Sequence, residues 1–292
     1  LIAPPILSIL SLVVARAILS NFQRGLLIQD VLGVARYFWD IFYGNQSCPM
    51  PEKVYEGKAK ILYRTSDPGV LLAQFKDDAT AFNAQKRGQI VGKGEINCQI
   101  AAVLLQELGA AGIPTHYISC PAPDQMLIKA VQIIPLEVVV RNIVAGSLCR
   151  ETNLPLGLVL PEPLVEFYYK NDQLGDPLLT SDRLKLMNLA TPDQIATIQQ
   201  LALKTNQVLQ NFFADCGITL VDFKLEFGLN AEQQILLADE VSPDTCRLWD
   251  AQETDPQKRI LDKDRFRQDL GNVEGAYQQV LSRVKALRGE ST

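Results

Sequence analysis

Histidine is nearly missing from this 292-residue chain, with His116 the only one. That leaves almost no material for a serine–histidine nucleophile or a histidine-bound zinc. His116 lies in a Thr-His-Tyr-Ile run that reads as a strand, so a structural role is expected. The six cysteines, at 48, 98, 120, 149, 216 and 246, form no CxxC pair and no metal-ligand spacing. They read as reduced thiols of the cytoplasm. No block of basic residues occurs and the formal charge is -5, so the footprint of a nucleic-acid binder is absent. Neither GxxxxGK[ST] nor GxGxxG is present, which removes the nucleotide folds built on those loops. No apolar run can span a bilayer, because the stretch at residues 6–19 is short and Arg16 interrupts it.

What remains is an ordinary globular balance, 47% hydrophobic and 21% charged, long enough for one large domain or two modest ones. The first 49 residues stand apart. Residues 6–19 resemble the apolar part of a signal peptide, but no basic start precedes them and no clear cleavage site follows. Leu27, Val31, Val34, Phe38, Ile41 and Phe42 recur at helical spacing, which suits a membrane surface or a partner. The first methionine is Met50, and regular alternation begins directly after it. We therefore expect residues 1–49 to be an extra segment outside the native fold. No stable membrane association is expected unless that segment is genuine. Beyond it we expect a nucleotide-covering sheet region over residues 50–134 and an α+β region over 135–292.

The pattern from Lys53 to Phe82 predicts a strand meander turned by Asp67-Pro68-Gly69. A helix is expected at about 95–108, then strands at 126–133 and 136–144. The clearest helix starts at Thr191, with Pro192 as its first residue, and ends at Gly217. A hairpin follows at 218–241, and a last helix from about Lys263 to Leu287. Strands in a run followed by mixed elements point to an α+β fold.

The hairpin carries the chemistry. In Leu220–Gly228 the strand period of two puts Val221, Phe223, Leu225 and Phe227 on one face, and Asp222, Lys224 and Glu226 on the other. The returning strand brings Asp239 and Glu240 toward the start of the first, near Asp222 and Glu226. Clustered carboxylates repel unless cations join them, and Mg²⁺ favours one or two carboxylates plus substrate phosphates. An ATP site therefore accounts for the cluster, with Lys224 as a point charge for a phosphate or an oxyanion. The bland alternative is a solvated sheet face with cross-strand ion pairs. Arg247, in what reads as an exposed loop beside the cluster, favours an anionic substrate instead.

Three further features suit anionic ligands. Lys58 and Lys60 follow a glycine hinge at Gly57 in Glu56–Lys60 and share a face. Arg141 ends a buried strand just before Ala145-Gly146-Ser147, so Arg141 and Ser147 can grip a phosphate or carboxylate, or Arg141 simply pairs with Glu137. Lys129, on the preceding strand, can face the same ligand.

Seven stretches then occur in one order: YEGKAK (55–60), DDATAFN (77–83), PLEVVVRNIVAGS (135–147), KNDQLGDP (170–177), LVDFKLEFG (220–228), ADEVSPDTCRLWD (238–250) and DKDRFRQDLG (262–271). Together they resemble the SAICAR synthase family, from about Lys53 to Val284. The resemblance implies an ATP-grasp-related architecture and a ligase of purine biosynthesis. Its substrates would be ATP, carboxyaminoimidazole ribotide and L-aspartate, with Mg²⁺ as cofactor and an acyl phosphate as intermediate. By matching position, Lys58 and Lys60 would cover ATP phosphates, and Glu226 and Asp239 would hold Mg²⁺ and nucleotide. Lys224 would bridge the transferring phosphoryl and the substrate carboxylate. Arg141, Ser147 and Arg247 would bind the ribotide. Asp222 would orient substrate or accept a proton. Asp172, Asp176 and the Lys263–Arg267 cluster lie in matching motifs without an assigned role. A small-molecule kinase on a related fold, like the inositol polyphosphate kinases, is the alternative. A homo-oligomer is left open.

Overall fold

The Asp67-Pro68-Gly69 turn organises the first sheet. The Asp67 side chain accepts the Gly69 N–H at 2.8 Å and its carbonyl accepts the Val70 N–H at 3.0 Å, reversing the chain between two strands. The computed structural model describes residues 52–81 and 85–289, so the expectations for residues 1–49 lie outside the described residues. Strands β1 (Lys53–Glu56), β2 (Lys60–Arg64) and β3 (Val70–Phe75) form the meander. A separate hairpin follows, β4 (Asp78–Ala81) with β5 (Lys86–Gln89). Helix α1 (Lys93–Ala110) comes next, then β6 (Tyr117–Ala122) and β7 (Gln125–Lys129). The first sheet is antiparallel, in the order β1-β2-β3-β7-β6.

The second sheet starts with β8 (Gln132–Ile143). The short helix α2 (Ser147–Thr152), β9 (Val159–Tyr169), β10 (Leu178–Leu179) and α3 (Ser181–Met187) follow. Helix α4 (Pro192–Asp215) leads into β11 (Ile218–Leu229), β12 (Ile235–Ala238) and β13 (Cys246–Asp250). The strand order is β10-β9-β8-β11-β12, and β13 also pairs with β11. The chain closes with α5 (Asp264–Arg267) and α6 (Val273–Leu287). The mixture of helices with antiparallel sheets is the expected α+β fold.

Local chemistry sets α4. The Thr191 hydroxyl accepts the Gln194 N–H, the Gln194 side chain accepts the Thr191 N–H, and Pro192 occupies the first turn. Its stripe of Ile198, Ala202, Leu209 and Phe213 is buried against the second sheet. One core runs from Leu104, Leu105 and Leu108 of α1 through Val138 and Val140 of β8 to Phe223, Leu225 and Phe227 of β11.

Three expectations need correction. The two strands expected at 126–133 and 136–144 belong to different sheets: β7 ends at Lys129, β8 begins at Gln132, and the link between them crosses β11 at Gly228. A Cβ there would meet the Val131 side chain at 2.7 Å, so glycine is what permits the crossing. The stretch between β8 and α4, where no strand was expected, contains the eleven-residue strand β9. Pro161 and Pro163 hide it, yet β10 covers only its far end, at Tyr168 and Phe167, and proline is tolerated on an edge. The expected last helix is two helices, because Asp269, Gly271 and Asn272 all have positive φ between α5 and α6.

Candidate active site

Strand β11 is the spine of the site. Its second half, Glu226–Leu229, pairs with β12, and its first half, Ile218–Phe223, pairs with β13. Lys224 sits at the fork, where its N–H donates to the Thr245 carbonyl at 2.9 Å. Residues 239–245 leave β12 at this point, with Asp239 in the left-handed region at φ 60. Ala238 lies opposite Glu226, so Asp239 arrives beside Lys224 and Glu226; the expected nearness to Glu226 holds, and that to Asp222 does not. The register, not the sequence spacing, decides which carboxylates meet.

The Lys224 ammonium donates to Glu226 at 2.5 Å, Asp239 at 3.2 Å and Glu137 at 3.3 Å. Lys60 reaches across from the first sheet to Asp239 and, at 3.0 Å, to Glu240. Lys170, which the sequence reading left out, pairs with Glu226 at 2.5 Å. Glu137 was also missed as a member, serving Lys224 and not Arg141, whereas Glu240 belongs to the expected cluster. The motifs containing these residues were visible, but nothing in them says which strand faces which. Burial alone would lower the Lys224 ammonium, yet Glu226, Asp239 and Glu137 overcome it and hold it well above its ordinary value. Burial likewise opposes ionisation of Asp239, and Lys60 and Lys224 outweigh it, keeping this carboxyl far below the usual range. Asp222 and Glu226 are each only 4% exposed, so the polar face of β11 lines an interior and not solvent.

A second cluster lies along the same strand. Asp222 Oδ2 accepts from Arg141 Nη1 at 3.2 Å and from Arg247 Nη1 at 2.8 Å. Arg141 also donates to Glu166 at 2.7 Å, Ser147 at 2.8 Å and Tyr168 at 3.1 Å. Arg247 is not in an exposed loop, as had been expected. It sits on β13, and its Nε donates to Asp264 at 2.8 Å. Burial disfavours both guanidinium charges, but Glu166 and Asp222 for Arg141, and Asp222 and Asp264 for Arg247, raise their pKa values above the ordinary one. Gly146 packs against Arg247 with φ +58, where a side chain would overlap the guanidinium. Beneath the cluster, the buried Asp244 takes hydrogen bonds from Lys93 at 2.9 Å and Tyr277 at 2.7 Å, with Lys263 at 3.6 Å.

Both clusters open on one cavity of about 1370 Å³. One end is an apolar slot of Leu62, Leu71, Ala73, Met126 and Ile128, with Lys58, Lys60 and Lys129 at its border. The other carries Arg141, Ser147, Arg150, Arg247, Arg259, Lys263 and Arg267. Lys58 does not join Lys60 in the acidic cluster but pairs with Asp172 at 2.7 Å. Lys129 borders the cavity from β7 as an exposed side chain. Every sequence-predicted site residue therefore lines this cavity, all but Lys58 and Lys129 within one of the two clusters. His116 joins the two sheets. Its carbonyl accepts from Lys129 of β7 at 2.7 Å, its N–H donates to Leu237 of β12 at 2.9 Å, and its Nε2 lies 2.9 Å from the Asp239 carbonyl.

Comparison with known proteins gives the family and the fold. The family model described as SAICAR synthetase matches residues 53–284. A phosphoribosylaminoimidazole-succinocarboxamide synthase of Nostoc sp. is 70% identical over 232 residues, 80% of this chain and 95% of that protein. The Synechocystis sp. protein of the same name is 66% identical over 244 residues, 84% of this chain and 91% of that protein. Among solved structures, the Ehrlichia chaffeensis synthase superposes with a TM-score of 0.77 at 42% identity, covering 80% of this chain and 99% of that one. A SAICAR synthetase in complex with ADP gives 0.76 at 45% identity, covering 82% and 98%. The fold and the site thus define an α+β enzyme of the ATP-dependent ligase class. More narrowly, the chain belongs to the SAICAR synthetase family.

Proposed function

We propose that the enzyme joins the amine of L-aspartate to the carboxylate of carboxyaminoimidazole ribotide, consuming ATP and releasing ADP and phosphate in purine biosynthesis. The observation that carries this reading is the pairing of two charge clusters on one strand, within one cavity. An apolar slot bordered by Lys60 and Lys129 suits a nucleotide, and the arginine-rich end suits a ribotide phosphate and carboxylates. A carboxylate is a poor electrophile and an acyl phosphate a good one. Phosphorylating the ribotide carboxylate therefore prepares it for attack by the aspartate amine.

The residues divide the work as follows. Lys224, with its proton held firmly, neutralises charge on the transferring phosphoryl group between ATP and the ribotide carboxylate. Lys58, Lys60 and Lys129 stand at the phosphate end of the nucleotide, and Lys170 joins them through Glu226. Arg141, Ser147 and Arg247 hold the ribotide. Asp222 bonds both guanidinium groups, which suits an orienting role better than proton abstraction.

Among the described residues, no three acidic, histidine or cysteine side chains form a metal cage by themselves. Glu226 and Asp239 nevertheless fit Mg²⁺, because both lie within 3.2 Å of one ammonium and Mg²⁺ commonly takes one or two carboxylates plus substrate phosphates. Bound there, the ion would supply charge neutralisation for the nucleotide phosphates. Cysteines without a CxxC pair or metal-ligand spacing support a reducing, cytoplasmic setting for this chemistry. Among the described residues no helix is long and apolar enough to cross a membrane.

The test is ADP release with the ribotide, with and without aspartate. Turnover should require both, and Lys224→Ala should lower kcat by about 10³-fold with a much smaller change in KM. ADP release that ignores aspartate would indicate a kinase instead.

A further inference from the structure

Cys98 and Cys120 stand outside the cavity and have no part in the chemistry above. They come from different elements, 22 residues apart, yet their sulfurs are 4.0 Å from each other. Cys98 is fully buried on α1, and Cys120 is exposed on β6. Strand β6 is the edge of the first sheet, and its pairing with β7 breaks register between Ser119 and Ala122, around Cys120. A disulfide needs the sulfurs at about 2.05 Å. The missing distance is of the size that a side-chain rotation and a small shift of an irregular edge strand supply. Cys149, Cys216 and Cys246 have no sulfur neighbour among the described residues.

We propose that Cys98 and Cys120 form a reversible intramolecular disulfide, with Cys120 as the attacking thiol and Cys98 as the resolving one. The asymmetry of the pair fits this order. An exposed thiol meets a soluble disulfide first, and a buried thiol touching it intercepts the mixed disulfide before a second molecule does. The contact between the two sulfurs lowers the pKa of Cys120, whereas that contact and burial raise the pKa of Cys98.

With oxidised glutathione as oxidant, the Cys120 thiolate attacks one glutathione sulfur. The glutathione S–S bond breaks, and the departing thiolate takes up the proton that Cys120 gave. Cys98 then attacks the Cys120 sulfur and expels the second glutathione thiolate, which accepts the Cys98 proton. Two protein thiols are oxidised and one glutathione disulfide is reduced to two thiols. In a reducing cytoplasm the pair rests as dithiol, and it closes on an oxidative challenge. The bond ties α1 to the edge strand that begins one residue after His116.

The experiment treats the folded full chain with oxidised glutathione, blocks remaining thiols, and maps peptides by mass spectrometry. The expected product is a peptide pair linked Cys98 to Cys120, lighter by two hydrogens and reversed by dithiothreitol. Cys98→Ser should stop at Cys120 carrying glutathione, and Cys120→Ser should leave Cys98 unmodified. Wild-type protein that retains glutathione on Cys120 as fully as Cys98→Ser would overturn the proposal. So would a link that appears only in urea. These readouts are covalent and stand apart from the ligase reaction.

Discussion

His116 offers the most direct test of how the two sheets are joined. A carbonyl can only accept, so Nε2 carries the proton that bonds the Asp239 carbonyl, and acid adds a second proton at Nδ1. Burial disfavours that charge, nearby Lys60 disfavours it further, and the pKa falls to about 4 from 6.5. In the unfolded chain the imidazole titrates normally. The folded pKa is therefore the lower one, and the unfolded state binds the extra proton as pH falls below 6.5. His116 contributes its full stability above pH 6.5 and loses it progressively toward pH 4. Integrating the difference gives a loss of about 2.5 kcal/mol between pH 7.5 and 4.5, at about 1.36 kcal/mol per unit.

The variant His116→Gln keeps an amide donor but does not titrate. Urea unfolding of both proteins across this range isolates the term, since every other group is shared. The shared groups include buried Asp262, which burial and Asp264 push up to about 7 and which therefore favours the folded state at low pH, the opposite sign. The stability gap between wild type and variant should shrink by about 2.5 kcal/mol at pH 4.5. Because the chain has one histidine, an untagged protein gives one imidazole NMR signal, and its titration near pH 4 is an independent check. A gap that stays flat with pH, or an imidazole titrating near 6.5, would refute the buried, carbonyl-bonded placement.

Other outcomes follow from single sites. Gly146→Ala should cost about 1–3 kcal/mol in urea unfolding, because φ +58 with a Cβ against the Arg247 guanidinium leaves no relaxed arrangement. It should also raise KM for the ribotide more than for ATP. Lys93→Met removes a buried partner of Asp244, so stability should fall by about 3 kcal/mol, and adding Asp244→Asn should recover part of that loss. Thr191→Ala breaks the capping box of α4 far from the cavity, costing about 1 kcal/mol in thermal or urea unfolding with turnover unchanged.

Sequence alone determined what is local. The start of α4 follows from Thr191, Pro192 and Gln194, and the β2–β3 reversal from Asp67 and Gly69. The alternation of Asp222, Lys224 and Glu226 with apolar residues follows from the strand period. Seven ordered motifs contain Lys60, Arg141, Asp222, Lys224, Glu226, Asp239 and Arg247. Tertiary structure decided what depends on pairing between distant segments. Only the register of β11 with β8 and β12 put Glu137 and Asp239 around Lys224, and left Asp222 to Arg141 and Arg247. Strand β9 and the crossing at residues 130–131 escaped the sequence because proline tolerance and glycine clearance matter only once a neighbour is in place. Side-chain type is written in the chain, but partner, burial and charge balance arise where separate strands meet, and those set the chemistry of the cavity.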